Sequence, residues 1–327
     1  MQKLGRKFTK LFLLFPAWFR LGSFKWAYRL AEESFSPKDI QGLAVKDGQL
    51  VSAATGVALT DEIYWRIKGG LKYWWAFASY KGVRFFGMKD GLLMADVDGI
   101  RYRIDHEGSL FIIDEIFAER LYDLRLNEDL VVVDVGMNVG IASLFFAAMP
   151  NIKAVYSYEP LPETVEQAKN NFALNPGIGS KIHPHLCGIS NYDGKISVPA
   201  TVSGSAVFST DQTFIDAHGM NKGAMVEVDI IHIRGVMETI RAVHPGTRVL
   251  LKLDCEGEEY KIMDYLSANG YMPMISAVAL EWHVKGYEPL CATFEQHGFS
   301  VFNLGRKEID PPVGMIYAFN MKNSAHA

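Results

Sequence analysis

The sequence predicts an α/β protein: a doubly wound, mostly parallel seven-stranded sheet with an antiparallel final strand, preceded by an N-terminal α+β extension. Three observations carry this reading. The apolar run Leu130–Val135, ended by glycine, is the pattern of a strand buried on both faces. From residue 130 onward strand segments alternate with helical segments, as parallel crossovers require. Only Arg306 to Val313, two prolines among them, separate Gly305 from Gly314. A parallel crossover needs a dozen or more residues, so the last two strands form an antiparallel hairpin.

The totals agree. With 327 residues, 49% apolar and 21% charged, the chain can bury a large core. The net charge of −4 argues against an extended nucleic-acid-binding face. Cys187, Cys255 and Cys291 are far apart, with no metal-ligand spacing, so neither a disulfide framework nor a cysteine metal site is expected. A reducing, cytoplasmic setting follows. Charge is unevenly placed: residues 1–30 carry seven basic residues and no acidic one, which leaves −4 − 7 = −11 on the remainder.

Four regions follow in chain order. Residues 1–40 form a basic amphipathic segment. Its apolar stretch Leu11–Phe19 is interrupted by Pro16 and precedes no A-x-A-like site, which speaks against a cleaved signal. Phe8, Leu11, Phe12, Phe15, Phe19, Trp26 and Leu30 recur at roughly helical spacing. That pattern suits a helix on the inner, anionic face of a membrane and equally a helix pair packed on the protein's own core. Residues 41–109 are the α+β extension, with short strands around Lys46-Asp47-Gly48 and a helix starting at Thr60. The aromatics of Ile63–Tyr80, divided by Gly69-Gly70, suit an acceptor-binding wall or plain core. Asp98-Gly99 reads as a turn between Gly91–Val97 and Ile100–Asp105.

Residues 110–322 form the main domain, and 323–327 a tail. Leu110–Leu124 reads as a helix leading into strand Leu130–Val135, helix Val139–Met149, strand Ala154–Tyr158 and helix Pro162–Leu174. Lys181–Ile189 reads as the third strand, then Lys195–Val198 and a loop at Thr201–Thr213. Val226–Ile231, helix Gly235–Val243, strand Arg248–Leu253 and helix Glu259–Ala268, stopped at Asn269-Gly270, come next. Ala277–Trp282, helix Glu288–His297, Ser300–Leu304 and Met315–Phe319 complete the series.

Ligands of such a sheet bind outside the carboxyl ends of its strands. Asp134-Val135-Gly136-Met137-Asn138-Val139-Gly140 ends the first strand, with Gly136 free to turn sharply and Gly140 allowing close helix packing. The amides that open the next helix can receive a carboxylate. Glu159, 19 residues beyond Gly140, can accept both hydroxyl hydrogens of a ribose. Asp134, Gly136, Asn138, Gly140 and Glu159 therefore make a candidate site for an adenosine cofactor, with NAD and S-adenosyl-L-methionine both open. The dinucleotide fingerprint would need glycine at Asn138 and Ile141, which disfavours a pyrophosphate.

VVVDVGMNVGIASLFFA (Val131–Ala147), YSYEPLPETVEQAKNN (Tyr156–Asn171) and LLKLDCEGEEYKIM (Leu250–Met263) resemble the FkbM family of methyltransferases, over about Ile112 to Phe302. The K-x-D-x-E-G element at Lys252–Gly257 is the most specific part. Val135 and Met137 stand where the family often shows isoleucine and alanine. The resemblance implies a class I methyltransferase fold, in which the final strand is reversed, S-adenosyl-L-methionine as cofactor, and O-methylation of sugars or secondary metabolites. The expected acceptor is a small molecule or glycan.

Asp254, Glu256 and His283 are the candidate catalytic groups: Asp254 to orient, Glu256 to take the acceptor's proton, and His283 as a neutral imidazole base. His232 is a weaker candidate. The two carboxylates could also help hold a divalent cation, though no metal site is assigned. Lys252 and Glu258 have the alternative reading of pairing with neighbouring charges. Two other functions compete: a membrane-associated scaffold that keeps the fold without turnover, and an NAD-dependent oxidoreductase.

Overall fold

The computed structural model describes residues 2–53, 56–77, 83–87, 92–200, 224–306 and 312–321. The expected loop at Thr201–Thr213, the tail 323–327, Tyr80 and most of the final hairpin turn lie outside the described residues. The chain divides into two compact units, Met1–Leu121 and Tyr122–Ala327.

In the first unit, a long helix, Gln2–Leu21, is followed by a second, Phe24–Glu32. The single face read from the sequence splits between two environments. Trp26 and Leu30 are fully buried, whereas Phe12, Phe15 and Phe19 are exposed. Two three-stranded antiparallel sheets follow, Leu43–Lys46 with Gln49–Ser52 and Ala58–Leu59, and Val83–Gly87 with Leu93–Val97 and Ile100–Ile104. Thr60 caps the helix Asp61–Arg66, its hydroxyl accepting from the Ile63 N–H. Asp98 and Gly99 turn the hairpin with both φ angles positive. Of the aromatic segment, Tyr64, Trp74 and Phe77 are core.

One boundary differs from expectation. The helix expected over Leu110–Leu124 runs Glu107–Ile113 and widens into a π turn, Asp114–Ala118. Leu110 and Ile113 are buried, and residues 107–121 cluster with the first unit.

The second unit is built on a seven-stranded sheet. Its spatial order is Phe299–Arg306, Val313–Asn320, Ile275–His283, Arg248–Leu253, Leu130–Val135, Ile152–Glu159 and Ile182–Leu186. Five strands form a parallel series, and Val313–Asn320 runs antiparallel to both its neighbours. The final strand is therefore the reversed one, as the short hairpin required. Leu130–Val135 and Leu250–Leu253 are buried throughout, because helices cover both faces of the sheet centre.

The stretch expected as one strand, Lys181–Ile189, breaks at Cys187. Ile182–Leu186 closes the edge of the large sheet, while Gly188–Ser190 pairs in a small sheet with Ala224–His232 and Gly194–Ala200. The three cysteines are free thiols. Among the described residues no helix is long and apolar enough to cross a membrane.

Candidate active site

The first sheet strand ends in a turn that only glycine can make. Gly136 has φ +81°, and a Cβ on it would overlap the carbonyl oxygen of Asp254 at the end of the neighbouring strand. The Gly136 and Met137 amides both donate to the Tyr158 carbonyl, tying the loop to the second strand. Asn138 follows at φ +51°, with its Oδ1 accepting from the Val139 N–H at 2.7 Å.

Beneath the loop lies Lys252, fully buried. Its ammonium donates to the Gly136 carbonyl and sits 3.3 Å from Asp134 and 3.5 Å from Asp254. Burial opposes its charge, but the two carboxylates outweigh that and hold its pKa above the ordinary lysine range. Asp134 is completely buried; burial raises its pKa, against Lys252 and a 2.6 Å hydrogen bond from Ser143 Oγ. Ser143 in turn contacts Ser157 at 2.9 Å.

Two expected cofactor residues sit in the framework around the loop. Asp134 points into the protein and anchors Lys252 and Ser143. Gly140 is demanded by packing, since a Cβ there would lie 2.5 Å from the Phe172 ring. The alternative reading of Lys252 and Glu258 as paired charges holds: Glu258 accepts from Lys261 at 2.7 Å and is also bonded by Ser190.

Gly136, Asn138 and Glu159 line a cleft together with Pro160, Gly188, Ile189, Ile230, Asp254 and Glu256. Glu159 is nearly buried, and each carboxylate oxygen takes one backbone N–H, from Asn138 and from Leu161, both at 3.1 Å. Each oxygen keeps a further lone pair. Burial lifts this carboxyl to about 7 against those hydrogen bonds.

Asp254, Glu256 and His283 converge at the same strand ends. Glu256 is held at φ +56°, a left-handed conformation uncommon for glutamate. Its Oε2 lies 3.3 Å from His283 Nε2, and His283 Nδ1 lies 3.1 Å from Glu259 Oε1. One ligand atom from each of Asp254, Glu256 and His283 falls within 4.8 Å of the others. Burial depresses the His283 pKa, but the Glu259 hydrogen bond and the flanking charges of Glu256 and Glu259 lift it to about 10. The flanking carboxylates thus favour the charged ring over the neutral imidazole base expected from the sequence. His232 is a helix cap, its Nδ1 accepting from the Arg234 N–H.

Glu259 was missed by sequence reasoning. Fully buried, it accepts from the backbone of Gly257 and of His283 and contacts the His283 ring. The only sequence signal is its place in the Glu256–Glu259 run, where a second charge opening a helix reads as solvated.

A parallel sheet with one reversed terminal strand, a glycine loop after its first strand and an acidic residue ending its second define a class I methyltransferase. The chain belongs to the FkbM methyltransferase family: the Methyltransferase FkbM domain matches residues 134–301, just over half of its length. It is 24% identical over 223 residues to Methyltransferase sdnD of Sordaria araneosa, covering 61% of this chain and 85% of that protein. It is 26% identical over 232 residues to Methyltransferase 1 of Beauveria bassiana strain ARSEF 2860, covering 65% and 90% respectively. A solved FkbM methyltransferase from Methylobacillus flagellatus KT aligns with TM-score 0.39 and 15% identity over 64% of this chain. This chain spans only 51% of the length of that one.

Proposed function

We propose that this methyltransferase uses S-adenosyl-L-methionine to methylate a hydroxyl of a glycan or glycosylated metabolite. The observation that carries the proposal is one cleft with different chemistry at its two ends: the Gly136–Asn138 loop and Glu159 at one, Asp254 and Glu256 at the other, with the buried His283 ring against Glu256. The donor set fits the cofactor. Glu159 retains lone pairs for ribose hydroxyls, and the Gly136 turn lets a ligand approach backbone. When bound, the cofactor supplies an electrophilic methyl on a sulfonium.

The remaining work falls to the protein. Asp254, fixed by Lys252, orients the acceptor hydroxyl, and Glu256 takes its proton as the oxygen attacks in line. His283, gripped by Glu259, holds the Glu256 carboxylate in place. A second reading rests on the convergence of the Asp254, Glu256 and His283 ligand atoms: a divalent cation held there would acidify the acceptor directly.

Calorimetry with S-adenosylhomocysteine tests the cofactor half. The wild type is expected to bind, and Glu159→Ala to bind at least about tenfold more weakly. No binding by the wild type overturns the proposal. Labelled S-adenosylmethionine with a panel of sugar hydroxyls tests the other half. Asp254→Ala and Glu256→Ala are expected to lose turnover while still binding cofactor, and unchanged turnover would reject the assignment. Titration with Mn²⁺ separates the two acceptor readings without using activity.

A further inference from the structure

Exposed aromatic side chains are concentrated on one short piece of this chain. Phe12 is 77% and Phe19 85% exposed, and Phe15, Trp18, Phe24 and Tyr28 are also largely open to solvent. Four of them, Trp18, Phe19, Phe24 and Tyr28, form a connected band. Trp18 meets Phe24 edge-on at 5.7 Å, Phe24 stacks on Tyr28 at 6.5 Å, and Trp18 neighbours Phe19 at 6.2 Å. A band of this kind is costly on a water-soluble surface unless something covers it.

The helix is turned so that its own unit does not cover the band. Ala17 and Leu21 are buried, so Gln2–Leu21 packs through that side and presents Phe12, Phe15 and Phe19 on another. In the second helix Trp26, Ala27 and Leu30 face the core, which leaves Phe24 and Tyr28 outward. The sequence extends the aromatic spacing backward through Leu11 and Phe8. Lys3, Arg6, Lys7 and Lys10 precede the band in the sequence. No acidic residue occurs before Glu32. Lys25 and Arg29 are already paired with Asp61, at 2.8 and 2.6 Å.

We propose that this face docks the chain on an anionic lipid surface, with the Phe12–Phe15–Phe19 stripe at the acyl boundary and the lysines and arginine among the headgroups. An exposed aromatic stripe preceded in sequence by an acid-free basic stretch, on a helix too polar to cross a bilayer, is the composition of a helix lying in a membrane interface. Trp18 and Tyr28 supply the amphipathic rings that favour the headgroup level. A second copy of the chain is the weaker occupant, because joining two such faces brings two acid-free basic stretches together.

The test is co-sedimentation of the full-length chain with phosphatidylcholine vesicles, with and without about one third phosphatidylglycerol. Binding is expected only to the anionic vesicles, falling as salt rises. Phe12→Ser, Phe15→Ser and Phe19→Ser combined are expected to lower the partition coefficient at least about tenfold. Lys7→Glu with Lys10→Glu should do the same, and provides the test if the serine variant melts early. Equal binding to neutral vesicles, or no loss in either variant, overturns the proposal. So does a concentration-dependent dimer that the serine variant abolishes in the absence of lipid binding.

Discussion

Glu159 carries a tension that can be measured. Its carboxyl is lifted from an ordinary 4.5 to about 7 by burial, so the folded chain holds a proton there that the unfolded chain has released. Stability from this group is complete below about pH 4.5 and is lost as pH rises through about 7, by something on the order of 3 kcal/mol. Glu159→Gln removes the ionisation but leaves one of the two backbone N–H donors without an acceptor, at about 1 kcal/mol. The variant is expected to melt below wild type near about pH 5 and to close or reverse that gap near about pH 8. Parallel melting curves at the two pH values would refute the assignment. Lys252 presents the opposite case, a buried charge whose partners need it. Lys252→Met keeps the shape but strands Asp134, and should cost about 3–5 kcal/mol in urea unfolding. At this scale the sequence was legible where function is local. Gly136, Asn138 and Glu159 stand at strand ends and could be placed by counting. The ties of Asp134 and Glu259 could not be read because their partners, Lys252 and His283, are far along the chain, whereas the close packing at Gly140 was legible from the glycine itself.

Among the elements, the reversed strand is the one most tightly constrained. Gly314 faces Gly305 across the hairpin, and a Cβ on it would lie 2.5 Å from the Gly305 Cα and 3.0 Å from the Trp282 ring. Two glycines in register let Trp282 lie over the pair one residue before His283. Gly314→Ala should therefore force a shift costing about 1–3 kcal/mol and lower the melting temperature. Because Trp282 adjoins His283, it should also lower methyl transfer more than cofactor binding. An unchanged melting temperature would mean that the strand yields freely. The antiparallel hairpin could be foreseen from chain length alone, since eight residues cannot make a crossover. The break at Cys187 could not. Nothing in the run Lys181–Ile189 announces that Gly188 leaves one sheet for another, and its cause is pairing with Ala224–His232, more than thirty residues on.

For the molecule as a whole, the deepest structure is the centre of the large sheet. Leu130–Val135 and Arg248–Leu253 are paired on both sides and covered on both faces. Their amides should be the last to exchange with deuterium, while the exposed first helix exchanges early. Slower exchange in the edge strands Phe299–Arg306 and Ile182–Leu186 would contradict this order of stability. The architecture of the second unit was readable because alternating buried strands and amphipathic helices leave few alternatives. The first unit was harder. Its two small sheets and helix pair draw on side chains such as Trp26, Tyr64 and Trp74, which serve equally well in a core or on a binding wall.

Lys252 joins more than charges. One ammonium group bonds the carbonyl of the glycine loop and lies against the Asp254 carboxylate at the opposite end of the cleft. Neither loop can swing without pulling on the same buried nitrogen. The two ends of the cleft are thus cast as one rigid piece when the chain folds. The ordering that a looser site would have to undergo at each encounter with a ligand is here completed once, before any ligand arrives.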